Sequence, residues 1–287
     1  MSDMDFGTIR LCASQILAAT SRSVVARELE PITLGHIIGF PRSPAARLSA
    51  LAEEDFVELM ENVCSTAETI RRSTDVAAWN FAVKDGVAAG MPLAGGVEHV
   101  HVHAVARRAG DFAESDEVFE HIRVWSPESG VVHAPTPLEW PAEASRVART
   151  DALMAEEAAL YRANARALGL EVAPLDDAAD FSFGPHVISA ETLFFASPER
   201  RTVAFVNLKP LLPGHVLVSP ARCVQQLHEL SADEVADLWR SVRSVQRIVE
   251  DAHGATGADI GVQDGKIAGQ SVPHVHVHIL PRRPARL

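Results

Sequence analysis

A chain of 287 residues, 47% apolar and 22% charged, carries enough hydrophobic material for one large globular domain or two of ordinary size. No apolar run reaches membrane-spanning length and the opening MSDMDFGTIR lacks a basic-then-apolar leader, so no membrane association and a cytoplasmic location are expected. A formal net charge of −12 argues against a nucleic-acid surface, and Cys12, Cys64 and Cys223, at no motif spacing, read as ordinary thiols rather than a disulfide or zinc framework.

In chain order, the first informative stretch is LEPITLGHIIGFP, Leu29 to Pro41. A helix is predicted from Glu53 to Arg72, with Phe56, Leu59, Met60, Val63 and Ile70 on its buried face. Asp85-Gly86 and HVHVHAVARR, His99 to Arg108, follow. AGDF (Ala109 to Phe112), a proline- and tryptophan-bearing stretch from Ser126 to Pro141, and a helix capped by Thr150 and stopped at Gly169 come next. The acidic charge of that helix, around Met154 to Leu160, reads as a solvated face. Glu171 to Asp180, with Pro174 and three aspartates, reads as a linker.

Beyond the linker the first half is restated. LKPLLPGHVLVSP (Leu208 to Pro220) sets Pro210, Gly214, His215 and Pro220 against Pro31, Gly35, His36 and Pro41 at one constant offset. A helix opening on the capping box Ser231 and Glu234 places Val235, Leu238, Trp239, Val242, Val245 and Val249 on one face. VQDG (Val262 to Gly265), AGQSVPH (Ala268 to His274) and HVHVHILPRR (His274 to Arg283) complete the repeat.

The last of these motifs carries the chemistry. A strand turns alternate side chains to opposite faces, which sends His274, His276 and His278 to one side and Val275, Val277 and Ile279 to the other. Three imidazoles in one small volume can be a wet surface strand, a metal site needing one more ligand and an open position, or a nucleophile with its supports.

Taken together, the four motifs between Phe183 and Arg283 resemble the histidine-triad family, and within it the fragile histidine triad branch of diadenosine triphosphate hydrolases. The resemblance implies an α+β protein of two tandem domains, each an antiparallel sheet with a principal helix. The expected division is 1–170 for a first domain with its tail and helix, 171–180 for a linker and 181–287 for a second domain. Single-domain relatives pair as symmetric dimers, so the halves are expected to pack as an intramolecular pseudo-dimer, in a monomer or a dimer of such chains.

The resemblance also implies roles. His276 would attack the α-phosphorus of a dinucleoside polyphosphate such as diadenosine triphosphate, releasing one nucleotide and leaving a nucleotidyl-histidine for water to hydrolyse to AMP. His274, His278, Gln270 and Ser271 would meet the developing charge, with Gly269 and Val272 completing the GQSV segment, Gln263 a further phosphate contact and His215 a fourth histidine behind the triad. His186 and Asn207 would contact base or ribose. No cofactor is implied beyond magnesium carried on the substrate's phosphates. The first half keeps His36, His99, His101 and His103 but has Ile9 for His186, Glu28 for Asn207, Lys84 for Gln263 and Gly95-Gly96 for Gln270-Ser271, so a degenerate site is expected there. Alternatives are a nucleotidyltransferase or phosphorylase, as in the two-domain galactose-1-phosphate uridylyltransferase, and a non-catalytic sensor of a dinucleotide or metal.

Overall fold

A computed structural model describes residues 3–6, 9–28, 30–89, 99–125, 145–175 and 179–283. Two compact units emerge, Met1–Leu138 with Gly261–Ser271, and Glu139–Ile260 with Val272–Leu287.

The first unit contains β1 (Met4–Phe6), β2 (Ile9–Leu11), β3 (Ile16–Ala19), β4 (Ser23–Arg27), β5 (Ile37–Pro41), α1 (Glu53–Ser73), β6 (Ala78–Asp85), β7 (Val102–Arg107) and α2 (Glu117–Val124). β1 and β2 form a hairpin, and the remaining strands form an antiparallel layer in the order β3-β4-β5-β7-β6. Helix α1 lies on that layer through Phe56, Leu59, Met60 and Val63, all buried. Gly39 of β5 admits it: a Cβ there would lie 2.2 Å from Val63 Cγ2. Ala52 provides no side-chain cap for α1, but Glu53, Glu54 and Asp55 in its first turn favour the positive end of the helix dipole.

The second unit contains α3 (Asp151–Ala167), β8 (Phe181–Phe183), β9 (His186–Ile188), β10 (Leu193–Ala196), β11 (Thr202–Val206), β12 (Val216–Pro220), α4 (Ala232–His253), the start of β13 (Gly257–Asp264) and β14 (Val277–Arg282). Its antiparallel strands β10-β11-β12-β14 repeat the first plan, as does the β8–β9 hairpin. The capping box at Ser231 and Glu234 forms as expected, and α4 ends on Gly254 in the left-handed region. The chain is therefore α+β, with antiparallel sheet and a principal helix in each repeat.

Two features depart from the expected division. Helix α3, expected to close the first domain, packs on the second unit: Tyr161 lies 4.9 Å from the Phe194 ring and Asn164 Nδ2 donates to Ile248 O at 2.8 Å. The chain beyond it also follows that unit, since Ala173 N–H donates to Ala196 O at 2.9 Å. Conversely, Gly261–Ser271 of the second repeat falls in the first unit, where Asn80 Nδ2 donates to Ala268 O at 3.0 Å and Ser115 Oγ to Ile267 O at 2.9 Å.

The triad is also not carried wholly on a strand. β14 begins at Val277 and β7 at Val102, so His274 and His276, like His99 and His101, stand in the approach to their strands. The physical reason is that groups outside the ladder take the backbone N–H and C=O first. Val275 N–H donates to Val224 O at 2.8 Å while Val275 O accepts from Ser219 Oγ at 2.8 Å, and Val100 N–H donates to Ala45 O at 2.7 Å.

Candidate active site

The second triad is a set of imidazoles whose protons are assigned by backbone partners. Gly184 N–H donates to His274 Nδ1 at 3.2 Å, which leaves the proton on Nε2, and that proton goes to Pro220 O at 2.9 Å. His276 Nδ1 lies 2.7 Å from His274 O; a carbonyl only accepts, so Nδ1 carries the proton and Nε2 keeps its lone pair. Leu211 N–H donates to His215 Nδ1 at 3.1 Å, so His215 donates from Nε2 to His278 Nδ1 at 2.9 Å and the proton of His278 sits on Nε2. The backbone thereby sets every tautomer. Among the described residues no hydrogen bond ends on His276 Nε2.

Burial keeps these rings neutral. Desolvation is the largest cause in each case: it lowers His276 and His274, pushes His278 well below the ordinary imidazole range, and brings His215 down to about 3 with help from the charges of Arg146 and His276. A neutral imidazole is the form that can act as a nucleophile. The walls are aromatic. Phe183 meets His276 edge-on with centroids 5.2 Å apart, and Phe181 lies 5.5 Å from the His274 ring. Gly214, at φ +85°, turns the chain into His215; a Cβ there would meet Pro281 Cγ at 2.6 Å and His253 Cδ2 at 2.7 Å.

Other expected residues fall into two groups. Asn207 is half-buried beside His215: its Oδ1 accepts from Lys209 N at 2.9 Å, which turns Nδ2 to 3.4 Å from His215 Nε2. His186 is exposed on β9 opposite Phe183, and Val272 packs on the cluster of Phe181 and Phe183. In the first unit, Gln263 donates from Nε2 to Asp116 at 2.8 Å and Gly269 adopts φ +93°, where a Cβ would come within 2.5 Å of Gln263 Nε2. Gln270 N–H donates to Gly265 O at 3.3 Å and Ser271 is exposed. His274 differs from its expected part as a phosphoryl donor: both ring nitrogens are committed to backbone, so it braces the loop at Pro220.

The first triad repeats the relay with one further link. Ile32 N–H donates to His36 Nδ1 at 3.3 Å, His36 Nε2 donates to His103 Nδ1 at 3.1 Å, and His103 Nε2 then faces His101 Nε2 at 3.1 Å. His101 Nδ1 donates to His99 O at 3.0 Å, so the lone pair on its Nε2 is the one that accepts from His103. His99 Nε2 donates to Pro41 O. Trp125 closes the site, its ring 4.7 Å from His103 and 5.3 Å from His101, while Phe6 lies 5.4 Å from His101 on another side. His101 is 2% exposed and His276 3%, so the two sites differ in the partner of the Nε2 lone pair and not in burial. Lys84 donates to Arg123 O at 2.6 Å, and Gly95-Gly96 lies outside the described residues.

Sequence reasoning passed over Trp125, Arg146 and Arg149. Arg149 donates from Nε to Asn207 O at 3.0 Å and pairs with Glu157. No motif marks these residues, because they lie between the first triad and the second repeat. Among the described residues no group of three or more His, Cys, Asp or Glu is arranged to hold a metal ion, and no helix is long and apolar enough to cross a membrane.

A doubled antiparallel α+β plan, each copy ending in three alternating histidines with a fourth behind them, defines a tandem histidine-triad protein. The chain belongs to the HIT-domain family, which matches residues 12–110 and 191–285. It is similar to the asymmetrical bis(5'-nucleosyl)-tetraphosphatase of Schizosaccharomyces pombe, 57% identical over 84 residues, which make up 29% of this chain and 46% of the relative. It is also similar to the bifunctional bis(5'-adenosyl)-triphosphatase/adenylylsulfatase of Arabidopsis thaliana, 48% identical over 103 residues, 36% of this chain and 56% of the relative. The chain thus spans about half the length of these relatives. A crystal structure of a galactose-1-phosphate uridylyltransferase-like protein from Arabidopsis thaliana covers 95% of this chain and 80% of its own, with a TM-score of 0.55 and 11% identity, a likeness of fold.

Proposed function

We propose that the chain hydrolyses dinucleoside polyphosphates, diadenosine triphosphate among them, to AMP and a second nucleotide, and that the second triad does the work. The observation that carries this reading is the contrast of two lone pairs: His276 Nε2 receives no hydrogen bond among the described residues, whereas His101 Nε2 accepts from His103 under Trp125. In the first step His276 Nε2 bonds to the α-phosphorus and the bond to the bridging oxygen of the leaving nucleotide breaks. In the second, water displaces His276 and the adenylyl group leaves as AMP. His278, with its proton on Nε2, is the donor for charge that develops on the phosphoryl group. Phe183 against His276 and Asn207 beside His215 support a nucleoside site here, to which the proposal adds His186 on β9. Magnesium enters on the substrate's phosphates, and a cytoplasmic location and a monomer with paired halves, or a dimer of these, belong to the same proposal. That the two relatives are a bis(5'-nucleosyl)-tetraphosphatase and a bis(5'-adenosyl)-triphosphatase supports the substrate class.

The test compares His276→Ala with His101→Ala on diadenosine triphosphate. The first is expected to lower kcat by several orders of magnitude and to abolish an adenylyl-protein adduct trapped by rapid quench. The second is expected to change kcat by less than about tenfold, roughly 1.4 kcal/mol of barrier. Equal losses in the two variants would overturn the assignment.

A further inference from the structure

Helix α3 and the strap before it, Ser145–Thr150, are fastened to one corner of the second unit, where the chain leaves β11 at Asn207. Arg149 does the fastening. Its backbone N–H donates to Leu208 O at 3.0 Å, and its side chain donates to Asn207 O from Nε, at 3.0 Å, and from Nη2. Two N–H groups of one planar fork on a single carbonyl fix its direction as well as its distance, which the compact ammonium of a lysine does not. The remaining nitrogen, Nη1, pairs with Glu157 of α3. Glu157 is held in turn. Its other oxygen accepts from Tyr161 OH at 2.5 Å, and burial raises that hydroxyl to about 13, so the proton stays in the bond. The hydroxyl oxygen then accepts from His253 Nε2, 2.7 Å away at the end of α4. Tyr161 is fully buried, its ring 4.9 Å from Phe194. A continuous line of bonds thus runs from packed core to the Asn207 carbonyl.

The residue held in this way keeps donors to give. Asn207 Oδ1 accepts from Lys209 N–H at 2.9 Å, which turns the amide nitrogen toward His215 Nε2 at 3.4 Å. That ring nitrogen already carries the proton it donates to His278 Nδ1, so it accepts none from Asn207. Among the described residues nothing else accepts from Asn207 Nδ2, although the residue is half-buried beside the triad. A half-buried amide without an acceptor is completed by a ligand that brings one. No bond of Arg149, Glu157 or Tyr161 among the described residues ends on His276 or His278, so the line reaches the binding side of the site and not the reacting rings.

We propose that Arg149 is a positioning residue of the second site: held by Glu157 and Tyr161, it fixes the Asn207 backbone so that the Asn207 amide donates to the nucleoside of the substrate. Arg149 therefore governs affinity through Asn207 and leaves the reacting step alone. The proposal rests on the hydrolase reading, which puts the nucleoside beside Asn207. It gives α3, which packs on the second unit, a part in that unit's site.

The test is a double-mutant cycle on the full chain with diadenosine triphosphate. Asn207→Ala and Arg149→Met are each expected to raise KM about tenfold with kcat changed less than threefold. Because Arg149 acts through the Asn207 side chain, the double variant should have a KM within twofold of Asn207→Ala alone. Arg149→Lys, which keeps the charge and lacks the fork, should lie between Arg149→Met and the unmodified protein. If Arg149→Met fails to fold, Glu157→Gln takes its place in the cycle, with a threefold rise in KM that disappears in the Asn207→Ala background. An unchanged KM in Arg149→Met, or losses that multiply in the double variant, would overturn the proposal. If the unmodified protein does not turn over diadenosine triphosphate, the hydrolase reading fails, and the same cycle is run on calorimetric titration of AMP. Weaker AMP binding in Arg149→Met that vanishes in the Asn207→Ala background then supports the role of Arg149; independent losses, equal affinities or no AMP binding at all refute it.

Discussion

Acidification from pH 7.5 to 5 is expected to remove most of the stability of this fold, because so many of its imidazoles are buried in the neutral form. Burial brings His36 and His215 down to about 3 and His101 down to about 4, with the charge of His101 adding to the effect on His36. In the unfolded chain the same groups titrate near 6.5. Between those values the unfolded state binds protons that the folded state refuses. The stabilisation is therefore complete above pH 6.5 and is lost as pH falls toward the folded values. Each such histidine costs about 1.4 kcal/mol per pH unit inside the window, so these three together remove roughly 6 kcal/mol between pH 6.5 and pH 5. That is comparable with the whole stability of a typical domain, about 5–15 kcal/mol. His99, His103, His274, His276 and His278 are lowered by the same cause and act in the same direction. Urea unfolding followed by circular dichroism at pH 7.5, 6.5 and 5.5 measures the slope, and His36→Asn should reduce it by about one proton. A stability that is flat or rising as pH falls from 6.5 to 5.5 would refute the reading of these histidines as neutral and buried.

Trp125→Ala should cost about 3–5 kcal/mol and increase modification of His101 by diethyl pyrocarbonate, read by peptide mapping; an unreactive His101 would mean that Trp125 is not what covers it. Gly39→Ala should destabilise by about 1–3 kcal/mol because the new methyl meets Val63, and the double variant with Val63→Ala should recover part of that loss in urea melts. Ser231→Ala should lower stability by about 1 kcal/mol through loss of the α4 cap, while Ala52→Ser should add a similar amount at the uncapped start of α1, both read as shifts in the urea midpoint.

What the sequence by itself determined was the content of local patterns. Helical periodicity placed α1 within a residue of its observed ends, and capping residues placed the starts of α3 and α4, since a cap and a buried stripe are made by residues a few positions apart. The doubled Gly-His and His-Val-His-Val-His segments revealed the tandem repeat, and the resemblance they carry points to His215, whose Nε2 lies 2.9 Å from His278 Nδ1.

Tertiary structure decided everything that depends on atoms far apart in the chain. Whether a histidine offers a lone pair or a proton was settled by Gly184 N–H and Pro220 O for His274, and by Leu211 N–H for His215. Spacing alone cannot express this, because alternation orients a ring without saying which nitrogen is protonated. The substituted neighbours of the first triad were legible, yet the packing of Trp125 against it was not, since an aromatic residue outside any motif reads as ordinary core until it is found against His101 and His103. The same holds for α3 and the strap before it. Their sequence shows a helix and its cap, but only burial of Tyr161 against Phe194 and the bonds of Arg149 to Asn207 assign them to the second unit, because a helix's partner is chosen by the complementarity of two surfaces and not by the pattern along one.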